Sequence, residues 1–400
     1  MWGLACSTLA YRGNYIIFLA YECKVSYIEC VMDTQSFIHV CEPSITKKEV
    51  QYVTRAVLEG QVSSVAKYVP LFEDAFAKRM GAKYAVSVNS GGSALFLALW
   101  ALGIRAGDEV IMPAFTMIAT ANAIKQCGAT PIFVDSESNG NIDVSKIEEK
   151  ITPRTKMILP VHVYGHPCDM HEILAIARTH KLLVVEDAAE AHGALYNGKL
   201  VGSMGAAGCF SFYANKVMTT GEGGMIVTNN KEFAESLRYL RSYYISRKKH
   251  FWHKELAWNM RMNSLAASLG LAQLERLDEL IEKRRANAAY YSKKLADLKD
   301  ILALPSEKKD ARSIYWMYGV VVQSKKGGMR DKLMKYLWEH GVETRTFFFP
   351  MHWQPVYKED GLYPMADYLG RSGLYLPSSS HITRREQDMV VKHIKSYFNR

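Results

Sequence analysis

Asp187 closes the apolar run LLVVED, and Lys216 follows within GCFSFYANKVMTTGEGGMIVT. A carboxylate at the end of a buried strand is costly unless a cation answers it. An amine set among aromatics and glycines is the type of group that exchanges Schiff bases and carries protons over short distances. Pyridoxal phosphate asks for both: a counter-charge for its protonated pyridine nitrogen and a lysine for its aldehyde. Taken singly, each residue has a plainer reading, a capping Asp at a strand end and one of the chain's 50 basic residues in an ordinary loop. The chemical reading rests on their arrival in one order with a glycine turn, an aromatic and Ser211.

The glycine turn lies in SVNSGGSALFLALWALG, where Asn89, Ser90, Gly91, Gly92 and Ser93 stand immediately before a helix-period stretch. Unpaired N–H groups, small side chains and the positive helix end suit a phosphate there, with an ordinary turn as the alternative. No Lys-Ser/Thr follows the glycines, so this is not a Walker loop. Phe115, in IMPAFTMIATANAI, is placed either to stack on a flat heteroaromatic ring or to fill core.

These residues need a scaffold, and the chain from about residue 35 has an α/β rhythm. Thr46 and Glu49 have capping-box spacing at the head of a helix-period run. Short apolar runs at 84–88, 109–113, 131–135, 157–163, 182–187, 208–213 and 224–228 read as strands, with helix-period stretches between several of them. Such alternation implies a mainly parallel sheet sandwiched by helices, with ligands bound beyond the carboxyl ends of its strands. A long helix, SLAASLGLAQLERLDELIEKRRANAAYYSKKLADL, is expected to bridge to a smaller α/β unit containing IYWMYGVVVQ and MRDKLMKYLWEHG. The expected divisions are an extension at 1–34, a large cofactor-binding domain at 35–285 and a small C-terminal domain at 286–400.

Composition sets outer limits. The 400 residues exceed what one core usually supports, and 48% apolar with 22% charged is ordinary globular composition. The net charge of +10 suits a polyanionic partner, a nucleotide sugar among them, while zinc-finger, RNP-type and coiled-coil patterns are lacking, so nucleic acid is not the expected partner. Seven scattered cysteines without CxxC spacing point to a reducing, cytoplasmic setting and away from a metal site. Arg12 divides the N-terminal apolar stretches, each too short to span a bilayer, so no membrane association is expected. The segment reads as a dispensable extension ahead of a start at Met32.

The blocks PAFTMIATANAI, LPVHVYGHPCDM, VVEDAAEAHGA, FSFYANKVMTTGEGGMIVTNN and WNMRMNSLAASLGLAQL resemble the sugar aminotransferase family known as the DegT/DnrJ/StrS group, fold-type-I pyridoxal-phosphate enzymes, over about residues 35–400. The wording ANK-x-x-TTGEGGM, EDAAEA, HFWH at 250–253 and ETRTFFFPMHWQPVY is most similar to the perosamine-type 4-aminotransferase branch. The resemblance implies Lys216 as Schiff-base lysine and proton shuttle, Asp187 on the pyridine nitrogen, Phe115 stacked on the ring and Glu190 near its phenolic oxygen. It further implies Gly91, Gly92, Ser93 and Ser211 around the phosphate, helped by Asn259 of a neighbouring subunit. Many family members have Gly-Thr where Gly91-Gly92 stands, so Ser93 is expected to replace a lost hydroxyl, and many have Gln where Glu190 stands, with Glu in the perosamine-like branch.

The implied substrate residues are Trp252, His253, Tyr318, Arg345 and His352, with Arg247, Lys248 and Lys249 near the nucleotide diphosphate; for the histidines packing is the alternative, and for the cations a solvated basic loop. The implied reaction moves an amino group from L-glutamate to C4 of a nucleotide-linked 4-keto-6-deoxyhexose, GDP-4-keto-6-deoxymannose giving GDP-perosamine, in a homodimer with shared active sites. Other readings are a UDP- or dTDP-sugar 3- or 4-aminotransferase, a sugar dehydratase, and a non-catalytic binding protein of the same fold. Lys216 speaks against the dehydratases, whose members replace this lysine, often with histidine.

Overall fold

The computed structural model describes residues 7–12, 15–20, 37–244, 249, 251–324 and 327–399. Arg247, Lys248 and His250 lie outside them. Ser7–Arg12 and Tyr15–Ala20 pair as an antiparallel hairpin.

Seven short strands form the central sheet: β1 (Tyr84–Val88), β2 (Glu109–Pro113), β3 (Thr130–Val134), β4 (Thr155–Ile158), β5 (Leu183–Asp187), β6 (Ala207–Ser211) and β7 (Gly224–Thr228). Their order is β1-β7-β6-β5-β4-β2-β3. β3, β2, β4, β5 and β6 pair in parallel, while β7 runs antiparallel to both β6 and β1. Strands buried on both faces read as continuous apolar runs rather than alternation, as in Val184–Val185 and Met225–Ile226–Val227.

The first four helices among the described residues are α1 (Lys47–Leu58), α2 (Tyr68–Arg79), α3 (Gly91–Ala101) and α4 (Ala119–Gln126). α3 is apolar almost all round and lies in the main core with Leu95, Leu97 and Leu99. A second cluster, with Ile111, Ile158, Ile173 and Val184, fills the opposite face of the sheet. The Thr46–Glu49 capping box is present at α1. Glu49 is 1% exposed, and Arg276 Nη1 and Gln273 Nε2 both donate to it at 2.7 Å.

The structure departs from two expectations. The strand expected over 157–163 ends at Ile158; Pro160 and a left-handed Tyr164 (φ +53°) turn the chain at Val163–Gly165. The long helix is two helices, Ser264–Leu274 and Leu277–Lys294. Between them Arg276 leaves helical geometry (φ −107°, ψ 3°) and reaches Glu49 and the Ser44 carbonyl.

The helix Leu277–Lys294 carries both cores: Leu277, Leu280 and Ile281 join the main cluster, whereas Ala288 and Tyr291 join a C-terminal one. That C-terminal cluster backs a four-stranded antiparallel sheet in the order Leu302–Ala303, Tyr318–Val322, Gly373–Leu376, Arg345–Thr346. Ile38 belongs to the same cluster and bridges Val342, so the chain enters through the C-terminal unit before crossing to the large one at Val40.

Candidate active site

Asp187, Ser211 and the turn before α3 meet where β5, β6 and β1 end. β5 presents Asp187 at 4% exposure. Its Oδ2 accepts from Thr120 Oγ1 at 2.8 Å and its Oδ1 from the Ala189 N–H at 3.2 Å. Burial raises the Asp187 carboxyl above its ordinary range; the two hydrogen bonds and the charge of Lys216 oppose this only in part. Both hydrogen-bond donors are neutral, so the carboxylate still calls for a cation.

Lys216 lies in the turn after β6, its side chain 10% exposed. Nζ stands 3.3 Å from Glu190 Oε1 and 3.8 Å from the centre of the Trp316 ring. Glu190 is buried, and burial raises its carboxyl, with Lys216 and the Tyr164 N–H pulling the other way. That N–H donates to Glu190 Oε2 at 2.9 Å.

The turn before α3 has the form an anion needs. Ser90 caps the helix by accepting the Ser93 N–H at 3.1 Å, with the Ser93 hydroxyl 3.0 Å from its own. The first N–H groups of a helix have no intrahelical partner. A Cβ at Gly91 would lie 2.7 Å from Ser211 Cβ, and one at Gly224 2.3 Å from the Ser90 carbonyl oxygen. Bare backbone is therefore required where β6, β7 and the helix start converge. Behind Ser211, His192 is fully buried with neither ring nitrogen hydrogen-bonded, boxed by Phe210 and Phe212 at 5.2 and 5.6 Å. Burial, then the Lys216 charge, pushes its pKa down to about 3, which keeps the imidazole neutral.

This donor set fits pyridoxal phosphate: an under-compensated carboxylate for the pyridine nitrogen, a half-enclosed amine for the aldehyde, and a helix end with Ser211 for the phosphate. Among the described residues no group of three or more His, Cys, Asp or Glu side chains is gathered to hold a metal ion.

Other expected residues stand elsewhere. Phe115 is fully buried, enclosed by Gly140, Tyr164, Phe347 and Phe348, so its ring is core; the open side chain of that turn is Met117, 48% exposed. Tyr318 lies on the second strand of the C-terminal sheet, 1% exposed, its hydroxyl 2.9 Å from Ser292 Oγ and its ring against Tyr291; it does not reach the site. His352 packs on Tyr363 at 4.5 Å with Nε2 held by Asp367 at 2.8 Å, so it serves the packing of the C-terminal unit. Arg345 is exposed, paired with Glu343 at 3.1 Å, and aligned in register with Tyr375, whose own neighbour is Tyr164. Trp252, His253 and Asn259 are exposed on the 251–259 segment, with His253 Nδ1 2.6 Å from the Tyr243 carbonyl oxygen.

Thr120, Tyr164, His192 and Trp316 escaped the sequence reading. Thr120 had a local signal, a hydroxyl one helical turn after Thr116. Trp316 had none, because it reaches Lys216 only through the packing of the two units.

Comparisons with known proteins fall on one group. The model of the DegT/DnrJ/EryC1/StrS aminotransferase family matches residues 43–395. The GDP-perosamine synthase of Caulobacter vibrioides is 43% identical over 358 residues, covering 88% of this chain and 96% of that protein. S. venezuelae DesV, solved in complex with an intermediate, superposes with a TM-score of 0.83 at 36% identity, over 88% of this chain and 95% of that one. The PLP form of a putative sugar aminotransferase from Streptococcus pneumoniae superposes with a TM-score of 0.86 at 25% identity, over 90% of this chain and 98% of that one.

Proposed function

Given that this chain belongs to the DegT/DnrJ/EryC1/StrS aminotransferase family, pyridoxal-phosphate enzymes, we propose that it transfers the amino group of L-glutamate to C4 of GDP-4-keto-6-deoxymannose, forming GDP-perosamine. The single observation that carries the amino transfer is Lys216 Nζ held 3.3 Å from Glu190 beside the buried Asp187. The choice of sugar rests on the 43% identity to a GDP-perosamine synthase over nearly its whole length.

Bound here, the cofactor supplies an electron sink for the carbon that loses or gains a proton. Asp187 holds the pyridine nitrogen and keeps it protonated. Gly91, Gly92, Ser93 and Ser211 grip the phosphate at the head of α3. Lys216 Nζ is the base that takes the α-proton of the donor and, in the second half of the cycle, delivers a proton to C4 of the sugar. Glu190 and Trp316 hold that amine between them. The exposure of Asn259 and of the Trp252–His253 segment supports their use in the site of a second subunit, and we infer a homodimer that works in the cytoplasm. Among the described residues no helix is long and apolar enough to cross a membrane.

A panel of keto-sugar nucleotides with L-glutamate tests the proposal. A 4-amino sugar from GDP-4-keto-6-deoxymannose supports it, and turnover only of UDP- or dTDP-linked ketones refutes the choice of sugar.

A further inference from the structure

The geometry points to Trp316 as the positioning residue of Lys216, making the placement of the catalytic amine conditional on docking of the C-terminal unit. This inference rests on the reading of Lys216 as the cofactor lysine. Trp316 is 3% exposed and precedes the strand Tyr318–Val322, so it belongs to the C-terminal part of the chain. It acts on the lysine segment twice. The indole Nε1 donates to the Asn215 carbonyl at 2.7 Å, which fixes the backbone one residue before Lys216. The ring face meets Nζ at 3.8 Å while Glu190 meets it at 3.3 Å, so the flexible four-carbon stem ends between two restraints.

Trp316 is itself fixed from the large unit and from the helix that joins the two, and its side chain packs in the main core cluster. Its N–H donates to the Tyr164 carbonyl at 3.0 Å, and its own carbonyl accepts from Arg284 Nη1. Arg284, 2% exposed on the helix Leu277–Lys294, also lies 3.5 Å from Cys41 Sγ, and that thiol donates to the same Asn215 carbonyl at 3.2 Å. One carbonyl beside the lysine thus gathers donors from the entry segment and the C-terminal unit, and Arg284 ties the two donors together. Such a closed set has no purpose in covering surface; it sets where one amine stands.

The test compares wild type, Trp316→Leu and Trp316→Phe, the last keeping a ring but losing the indole N–H. Cofactor-free protein is mixed with pyridoxal phosphate, and the visible band marking linkage to Lys216 is followed in time with no donor or sugar present. Since misplacing a reacting group by an ångström costs up to about 100-fold, Trp316→Leu is expected to slow linkage by about 10-fold or more and Trp316→Phe by less. With an amino donor that bleaches the band, the maximal bleaching rate falls in the same order at an unchanged half-saturating donor concentration, and the isotope effect from deuterium at the donor's α-carbon rises. A merely structural role would lower Tm and cofactor affinity but leave the isotope effect alone. Linkage in both variants within about twofold of wild type overturns the inference, and if Trp316→Leu does not fold, Trp316→Phe alone decides it by the same rates. Failure of every keto sugar to react would refute the proposed substrate and leave the linkage measurement intact.

Discussion

Replacing Thr120 by Val removes one hydroxyl from Asp187 and keeps the side-chain shape. The hydroxyl donates to Oδ2 at 2.8 Å, with both residues buried. A hydrogen bond to an ionised carboxylate is worth about 1.5–3 kcal/mol, one between neutral groups about 0.5–1.5 kcal/mol. Because burial raises the Asp187 carboxyl, the ionised form that pairs with a pyridinium depends on the donors left to it. Losing about 1.5 kcal/mol of support for that ionised form is felt on cofactor binding and weakens it by about 10-fold. The dependence on pH has a definite sign. A carboxyl raised in the fold contributes stability below its unfolded pKa that is lost as pH climbs through the folded value, so the gain in Tm from pyridoxal phosphate should grow as pH rises from 3.8 through the folded value. Titration of the cofactor-free protein with pyridoxal phosphate across that range, beside Tm with and without cofactor, measures both effects. An unchanged Kd for Thr120→Val, or a cofactor stabilisation independent of pH, would refute this account of Asp187.

Other expectations are as direct. Lys216→Ala should bind pyridoxal phosphate without the visible band of wild type and should not transaminate; residual turnover at wild-type level in a coupled glutamate assay would exclude the lysine from catalysis. His192, pushed down to about 3, takes up a proton on unfolding below pH 6.5, so stability should fall by up to about 1.4 kcal/mol per pH unit toward pH 3, and His192→Phe should flatten that slope in urea unfolding at pH 7 and pH 5. At Glu49 burial pushes the carboxyl up, but Thr46, Arg276 and nearby N–H groups outweigh it and hold the pKa at about 2. Its contribution is therefore present above pH 4.5 and lost between there and pH 2, and Glu49→Gln should cost about 1.5–3 kcal/mol at pH 7 by denaturant unfolding. Gly91→Ala, whose Cβ would meet Ser211 Cβ at 2.7 Å, should weaken cofactor binding more than it lowers Tm, read by the same titration.

Local chemistry determined much of this protein by itself. Apolar runs of strand length separated by helical periods imply a parallel sheet, and the strand ends then locate Asp187, Ser211 and the α3 turn, because each lies within a few residues of a strand whose direction is already known. What the sequence left open were contacts between distant segments. The break at Arg276 needs Glu49, far back in the chain, to draw the guanidinium out of the helix. Phe115 could stack on a ring or fill core in a linear reading, and Tyr318 is expected at the substrate, yet both are drawn into cores by neighbours that only packing brings, Phe347 and Phe348 for one and Tyr291 and Ser292 for the other. Trp316 is the clearest case: nothing near it in sequence mentions Lys216, and only the docking of the two units sets its ring 3.8 Å from the amine. Periodicity reports which side of an element is buried; which partner meets it is decided by the tertiary fold.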